Sequence, residues 1–345
     1  MRSTNRCPGR DVAQAASLRP PLRSQPKLEP QPYGSRGPGR WHTPLLFAVF
    51  ISSAVIVLAP RISLSQQPGV SEEWKAVEKA LGKSGAMQPG DVFKASLPRS
   101  DLKVTVRGVQ LKPALALGSW VAFKKMGNSA MVMGDLVLAE DEVGPVMMKL
   151  QQGGIEETAL HNHVLGESPR VMYMHIGGHG DALKLAGAIH DALALTGTPF
   201  GAPSAAPPAQ DIGLDTKQID QTLGFAGKVN GGVYQFGIPR GEKITQDGME
   251  VPPSMGTATA INFQPTGGGK AAITGDFVLL ASEVNPVIRA LRAGGIEVTA
   301  LHSHMLNEEP RLFFMHFWAN DDAAKLARGL RAALDATNSA RAQKP

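Results

Sequence analysis

The sequence is short of cysteine: 345 residues contain one, Cys7. It precedes the only long apolar run, so no thiol follows that run to accept a lipid, pair in a disulfide or bind a metal as thiolate. Net charge is also scarce. The formal charge is +5, but residues 1–43 hold eight Arg or Lys against Asp11 and Glu29. The remainder is therefore close to neutral and lacks the basic excess that a phosphate backbone requires, so no nucleic-acid partner is expected. No G-x-S-x-G nucleophile elbow occurs, and the Gly267-Gly268-Gly269-Lys270 stretch lacks the spacing of a phosphate loop and reads as a hairpin turn.

No apolar run reaches the roughly 20 residues of a membrane-spanning helix. The longest, LLFAVFISSAVIVLA at residues 45–59, has the length of a signal-peptide core and follows the basic segment. Residues 1–65 are therefore expected to be a basic leader with a signal peptide or N-terminal anchor. Ser63-Leu64-Ser65 offers small residues for cleavage before Gln66. The expected location is exported, in the periplasm or envelope or secreted, with membrane contact only through the N-terminal segment.

What the sequence has is a duplication. Residues 134–196 align with 275–337 at a constant offset of 141, without a gap and with roughly half the positions identical. GDLVL matches GDFVL, GGIEETALHNH matches GGIEVTALHSH, and ESPRVMYMH matches EEPRLFFMH. The stretch TPFGAPSAAPPAQ at 198–210 has linker composition. The expected organisation is repeat 72–197, linker 198–210, repeat 211–337 and a tail at 338–345.

Within a repeat, Ala130–Ala139 has strand composition, and Asp141 precedes apolar residues Val143, Val146, Met147 and Leu150 at helical spacing. Ile155–Leu165 and Arg170–Ile176 alternate around turn residues, and Asp181–Leu195 is amphipathic. Leu102–Val109 and Trp120–Lys125 add upstream strands, with Val233–Ile238 and Thr257–Phe263 their counterparts. The expected fold class is α+β: two homologous repeats, each an antiparallel sheet with helices on one face, about β-β-β-α-β-β-α.

Six of the nine histidines fall in the two copies of one motif: His161, His163 and His175, then His302, His304 and His316. On a strand, His161 and His163 share a face. His175 joins them if Leu165 pairs with Val171, and turns away if Gly166 pairs with Pro169. The apolar set Met172, Met174 and Ile176 suits a core, which favours the converging register. Three imidazoles and a carboxylate form a ligand set for a divalent transition metal, Zn²⁺ first. Glu167 and Glu308 are the carboxylates of suitable parity, as ligand or catalytic base; Arg170 and Arg311 could clamp an anionic substrate or pair with the turn glutamates. Asp135 and Asp276, each after a glycine, read as turn residues. The H-x-H-x-x-x-E spacing is also the first cupin motif, but the second is missing.

GGIExTALHxH with ExPRxxxMH, duplicated behind an export signal, resembles the LppY/LpqO family of exported bacterial proteins, built on a domain of unknown function. The resemblance implies an envelope or secreted location and brings no activity or catalytic residue. Two functions stand open on the residues alone. One is an envelope metal protein with the chemistry of a metal-dependent hydrolase acting on a small molecule or envelope ligand. The other is a non-catalytic binding or interaction module with structural histidines.

Overall fold

The computed structural model describes residues 70–201 and 211–339. The leader, most of the Pro/Ala linker and the last residues of the tail lie outside them. Among the described residues no helix is long and apolar enough to cross a membrane.

The first copy opens with α1 (Glu72–Leu81), followed by β1 (Gly85–Gln88) and β2 (Val92–Pro98). A small ribbon comes next: β3 (Thr105–Val106), β4 (Val109–Gln110) and the single turn α2 (Pro113–Ala116). A long hairpin, β5 (Gly118–Met126) and β6 (Ser129–Ala139), leads into α3 (Val143–Gln152). The copy closes with β7 (Glu156–His161), β8 (Glu167–Ser168), β9 (Val171–Gly180) and α4 (Ala182–Leu193). The second copy repeats the order. It runs α5 (Thr216–Leu223), β10 (Lys228–Asn230), β11 (Val233–Ile238), β12 (Thr245–Gln246) and β13 (Met249–Glu250). After a 3₁₀ turn come β14 (Thr259–Gly267), β15 (Lys270–Leu279) and α6 (Ala281–Ala293). Then follow β16 (Glu297–His302), β17 (Glu308–Glu309), β18 (Phe313–Asp322) and α7 (Ala323–Leu334).

Each copy builds one six-stranded antiparallel sheet, in the orders β1-β2-β5-β6-β9-β7 and β10-β11-β14-β15-β18-β16. The fold is α+β; each six-stranded sheet has one strand more than the sequence pattern suggested, and each copy opens with a helix, α1 or α5, that the pattern did not show. Leu102–Val109 is not a strand of the six-stranded sheet. Arg107 (φ 48°) and Gly108 (φ 82°) fold it back on itself as the short β3–β4 ribbon. The helix expected after Asp141 starts one residue later, with Glu142 at its N-cap. Asp181 caps α4, accepting from the backbone N–H groups of Leu183 and Lys184.

Both faces of each sheet are covered. Even-numbered residues of β6 (Val132, Leu136, Leu138) pack with Met174 and Ile176 of β9 under α1, α3 and α4. Odd-numbered ones face the other copy: Met131 and Met133 share a cluster with Met255, Met305 and Phe314, and Val137 and Tyr173 share one with Val233 and Trp318. Burial on both sides explains why Ala130–Ala139 reads as a continuous apolar run rather than an alternating one. The second copy has its own helix-side core, which includes Phe277, Met315 and Phe317.

A buried arginine ties each sheet to its helix. Arg99 (1% exposed) donates to Asp101, Glu142 and the Val137 carbonyl. Arg240 does the same with Glu242, Glu283 and the Val278 carbonyl, again 141 residues on. Glu142 also accepts from Ala139 N, which fixes the turn into α3.

Candidate metal centre

The odd-numbered face of β6 carries one charged residue, Asp135, between Met133 and Val137. It pairs across the ladder with His175 of β9. Asp276 and His316 pair in the same way on β15 and β18. The glycine before each aspartate lets β5 or β14 approach closely: a Cβ on Gly134 would lie 2.9 Å from the Trp120 carbonyl oxygen. At Gly275 the Ala260 carbonyl and the Phe317 ring leave still less room.

β7 is the edge strand beside β9, with His161 opposite Tyr173 and Ala159 opposite His175. His161, Tyr173 and His175 therefore share the inter-copy face, as the converging register required, but the pairing is shifted by two residues: His161 lies opposite Tyr173 rather than His175, and Leu165 does not pair with Val171. The strand ends at His161, so His163 is held by the loop beyond it. That loop does not close a tight hairpin: β8 leaves the sheet and pairs with β3, as β17 pairs with β12.

The edge strands of the two copies meet. Thr158 Oγ1 donates to the His304 carbonyl at 2.6 Å, and Thr299 Oγ1 donates to the His163 carbonyl at 2.5 Å. These bonds are the same bond made twice, since Thr299 and His304 are the counterparts of Thr158 and His163. The contact thus has approximate twofold symmetry. His161 stacks on its own counterpart His302, with ring centroids 3.6 Å apart. Crossed pairs flank this one, His163 on His316 at 3.8 Å and His175 on His304 at 3.5 Å. All six histidines expected from the sequence converge in one centre.

Two groups of donors have ligand atoms within 4.8 Å of one another: His161, His163 and His175, and His161, His302, His304 and His316. Hydrogen bonds fix several tautomers. His316 Nδ1 lies 2.8 Å from the Gly275 carbonyl, and His161 Nδ1 lies 3.1 Å from the Asn162 carbonyl. Only an N–H can face a carbonyl, so each Nε2 carries the lone pair, the outer-shell arrangement of metal-binding histidines. His302 and His304 bring their Nε2 atoms within 2.9 Å. The Nε2 atoms of His161, His163, His175 and His316 are buried without a hydrogen-bond partner, as are His302 Nδ1 and the Oδ1 atoms of Asp135 and Asp276. Buried polar atoms are normally paired, and a set of unpaired lone pairs aimed at one another fits a cation between them.

Electrostatics agree with that fit. Burial pushes His161 down to about 4, and burial followed by repulsion from His161 pushes His316 down to about 3. His163, His175, His302 and His304 are lowered for the same reasons, so all six are neutral, the form that ligates. Burial raises Asp135 to about 7 despite the nearby Lys94, and holds Asp276 well above the carboxylate range. Lys94 sits 3.8 Å over the Trp120 ring and donates to the Ser254 carbonyl. Beside His175 and His304, a cavity of about 10 Å³ lined by Trp120, Met133, Met255 and Met305 has space for about one water molecule.

The other expected site residues are placed elsewhere. No carboxylate belongs to either donor group, Glu167 and Glu308 included. Glu167 is half-buried in the β3–β8 ribbon, and burial raises it. Buried Glu308 accepts from Arg311 Nη1 at 3.1 Å and from Leu312 N at 2.9 Å, bracing its own loop. Arg311 also donates to Ser303 and to the carbonyls of Met305 and Leu306, which holds the loop that carries His304. Arg170 is exposed, 3.5 Å from Glu140. The carboxylates that face the histidines are Asp135 and Asp276. The signal for them was a lone charge in the apolar run AMVMGDLVLA, retained 141 residues later.

No curated protein matches the sequence. Among solved structures, a trimeric bacterial microcompartment shell protein, PduB, is 13% identical over 75% of this chain and 96% of its own, with a TM-score of 0.20. EtuB from Clostridium kluyveri is 11% identical over 74% of this chain and 90% of its own, with a TM-score of 0.18. Scores this low bear on neither fold nor function. One protein family matches twice, at residues 75–195 and 217–336, each match spanning one copy with its sheet and helices. The chain therefore belongs to the family described as Domain of Unknown Function (DUF1259), and carries two copies of its domain.

Proposed function

We propose that this protein is a transition-metal-binding module whose centre is shared by its two copies, with Zn²⁺ as the resident ion. The observation that carries the reading is the cluster of buried, unpartnered imidazole nitrogens from both copies. Neutral nitrogen donors with nearby carboxylates suit Zn²⁺, which takes four such ligands without a preferred d-electron geometry. Space for about one water molecule supports retention of the ion over hydrolysis of a bulky substrate, which would need an open coordination position reachable from solvent. The basic leader and 15-residue apolar run support a site of action outside the cytoplasm, as does the motif resemblance to the exported LppY/LpqO proteins.

Metal analysis of the full chain, purified without a His tag, tests the reading. At least one equivalent of metal is expected to survive dialysis, and chelator should lower the denaturation midpoint. An ion held at a thousandfold over its Kd stabilises by about 4 kcal/mol. Metal-free protein with the same stability in Zn²⁺ and in chelator would overturn it.

A further inference from the structure

The donors are too many for one ion. A four-coordinate ion occupies four ligands, and the centre brings together six imidazoles and two carboxylates. They fall into two sets that share His161, one completed by His163 and His175 and the other by His302, His304 and His316. Asp135 lies 3.8 Å from His163 Nε2 and 3.9 Å from His175 Nε2, and His161 completes that group of three histidines. Asp276 lies 3.3 Å from His304 Nε2, and the second donor group joins His304 to His302, His316 and the other copy's His161. Two ligands of one tetrahedral ion, each about 2.1 Å from it, stand about 3.4 Å apart. The carboxylate–histidine distances fall at or just above that spacing, too long for hydrogen bonds in all but one case.

One ion alone would leave one copy's imidazoles and carboxylate buried and unpaired. The orphaned atoms occur on both sides: Nε2 of His163 and His175 with Oδ1 of Asp135, and Nε2 of His316 and Nδ1 of His302 with Oδ1 of Asp276. We infer that the centre is dinuclear, one divalent ion per copy, each held by three histidines and one aspartate: His161, His163, His175 and Asp135, and His302, His304, His316 and Asp276. The inference rests on the metal-binding reading above and adds its stoichiometry and its carboxylate ligands. Because the two donor groups share His161, the two ions would be close neighbours.

The test is titration of the tag-free, metal-stripped full chain with Co²⁺, read by visible absorption and by electron paramagnetic resonance. Two equivalents should bind, with intensity lost to magnetic coupling between the ions. Asp135→Asn and Asp276→Asn, near-isosteric changes, should each reduce the capacity to one uncoupled equivalent. A single equivalent in the unaltered chain, or two equivalents unchanged in both variants, overturns the inference and leaves the metal-binding reading standing. No Co²⁺ bound overturns both. If a variant fails to fold, capacity and coupling in the unaltered chain still decide.

Discussion

Acidification of the chelated protein measures how the centre is built. In the unfolded chain each of the six histidines titrates near 6.5, whereas in the fold all six are pushed lower by burial. The unfolded state therefore binds more protons, and stability is lost as pH falls below 6.5. A histidine that protonates only on unfolding costs about 2 kcal/mol between pH 7.5 and 5.0. Asp135 and Asp276 act in the opposite sense. Their raised values mean that the fold holds protons the unfolded chain releases, so each returns at most about 3 kcal/mol over the same interval. The net expectation is a loss of about 6 kcal/mol, comparable to the whole stability of a small domain. Urea denaturation in chelator at the two pH values reads it directly. Replacing His163 and His175 by glutamine should remove about a third of the histidine contribution. Equal midpoints at pH 7.5 and 5.0, or a higher one at 5.0, would refute the placement of neutral imidazoles in a dry centre.

Other outcomes follow from single contacts. Glu142→Gln weakens the carboxylate pairing of an arginine that is 1% exposed and should cost about 3 kcal/mol in chemical denaturation, as should Glu283→Gln beside Arg240. Gly275→Ala pushes a methyl group into the Ala260 carbonyl and should destabilise by about 1–3 kcal/mol or more. Gly187→Ala, in α4 with open space around it, should instead stabilise by about 0.5–1 kcal/mol; thermal melts separate the two. Tyr173→Phe removes a buried hydroxyl that has no partner, at a position where the second copy already has Phe314. It should leave metal capacity unchanged and raise stability by about 1 kcal/mol, and loss of metal on that substitution would make the phenol a ligand.

The duplication, the antiparallel sheets and the six histidines were legible because each leaves a local trace: identity at a fixed offset, alternation, spacing. His175 was legible through its neighbours, since Met174 and Ile176 claim the helix side. The carboxylates beside the histidines were not foreseen because Asp135 follows a glycine, the usual mark of a turn. Here the glycine serves a close strand approach, which only tertiary packing reveals. Glu167 had the right parity for a tight hairpin, but that parity lapsed once β8 left the sheet to pair with β3. The opening helix α1 and strand β2 lie where the two copies have diverged, so repetition gave no help. That the copies share one centre could not be read at all, because no local pattern records which sheet faces which.

The reciprocal threonine bonds have a consequence for assembly. A surface that meets its own duplicate through the same bond made twice is the geometry of a closed homodimer, here fused into one chain. Nothing in those bonds distinguishes a partner copy on the same chain from one on another. The Pro/Ala stretch between the copies therefore sets the outcome through effective concentration. Shortened below the span it must bridge, it would drive the copies to exchange between molecules, and the same centres would then form across two chains.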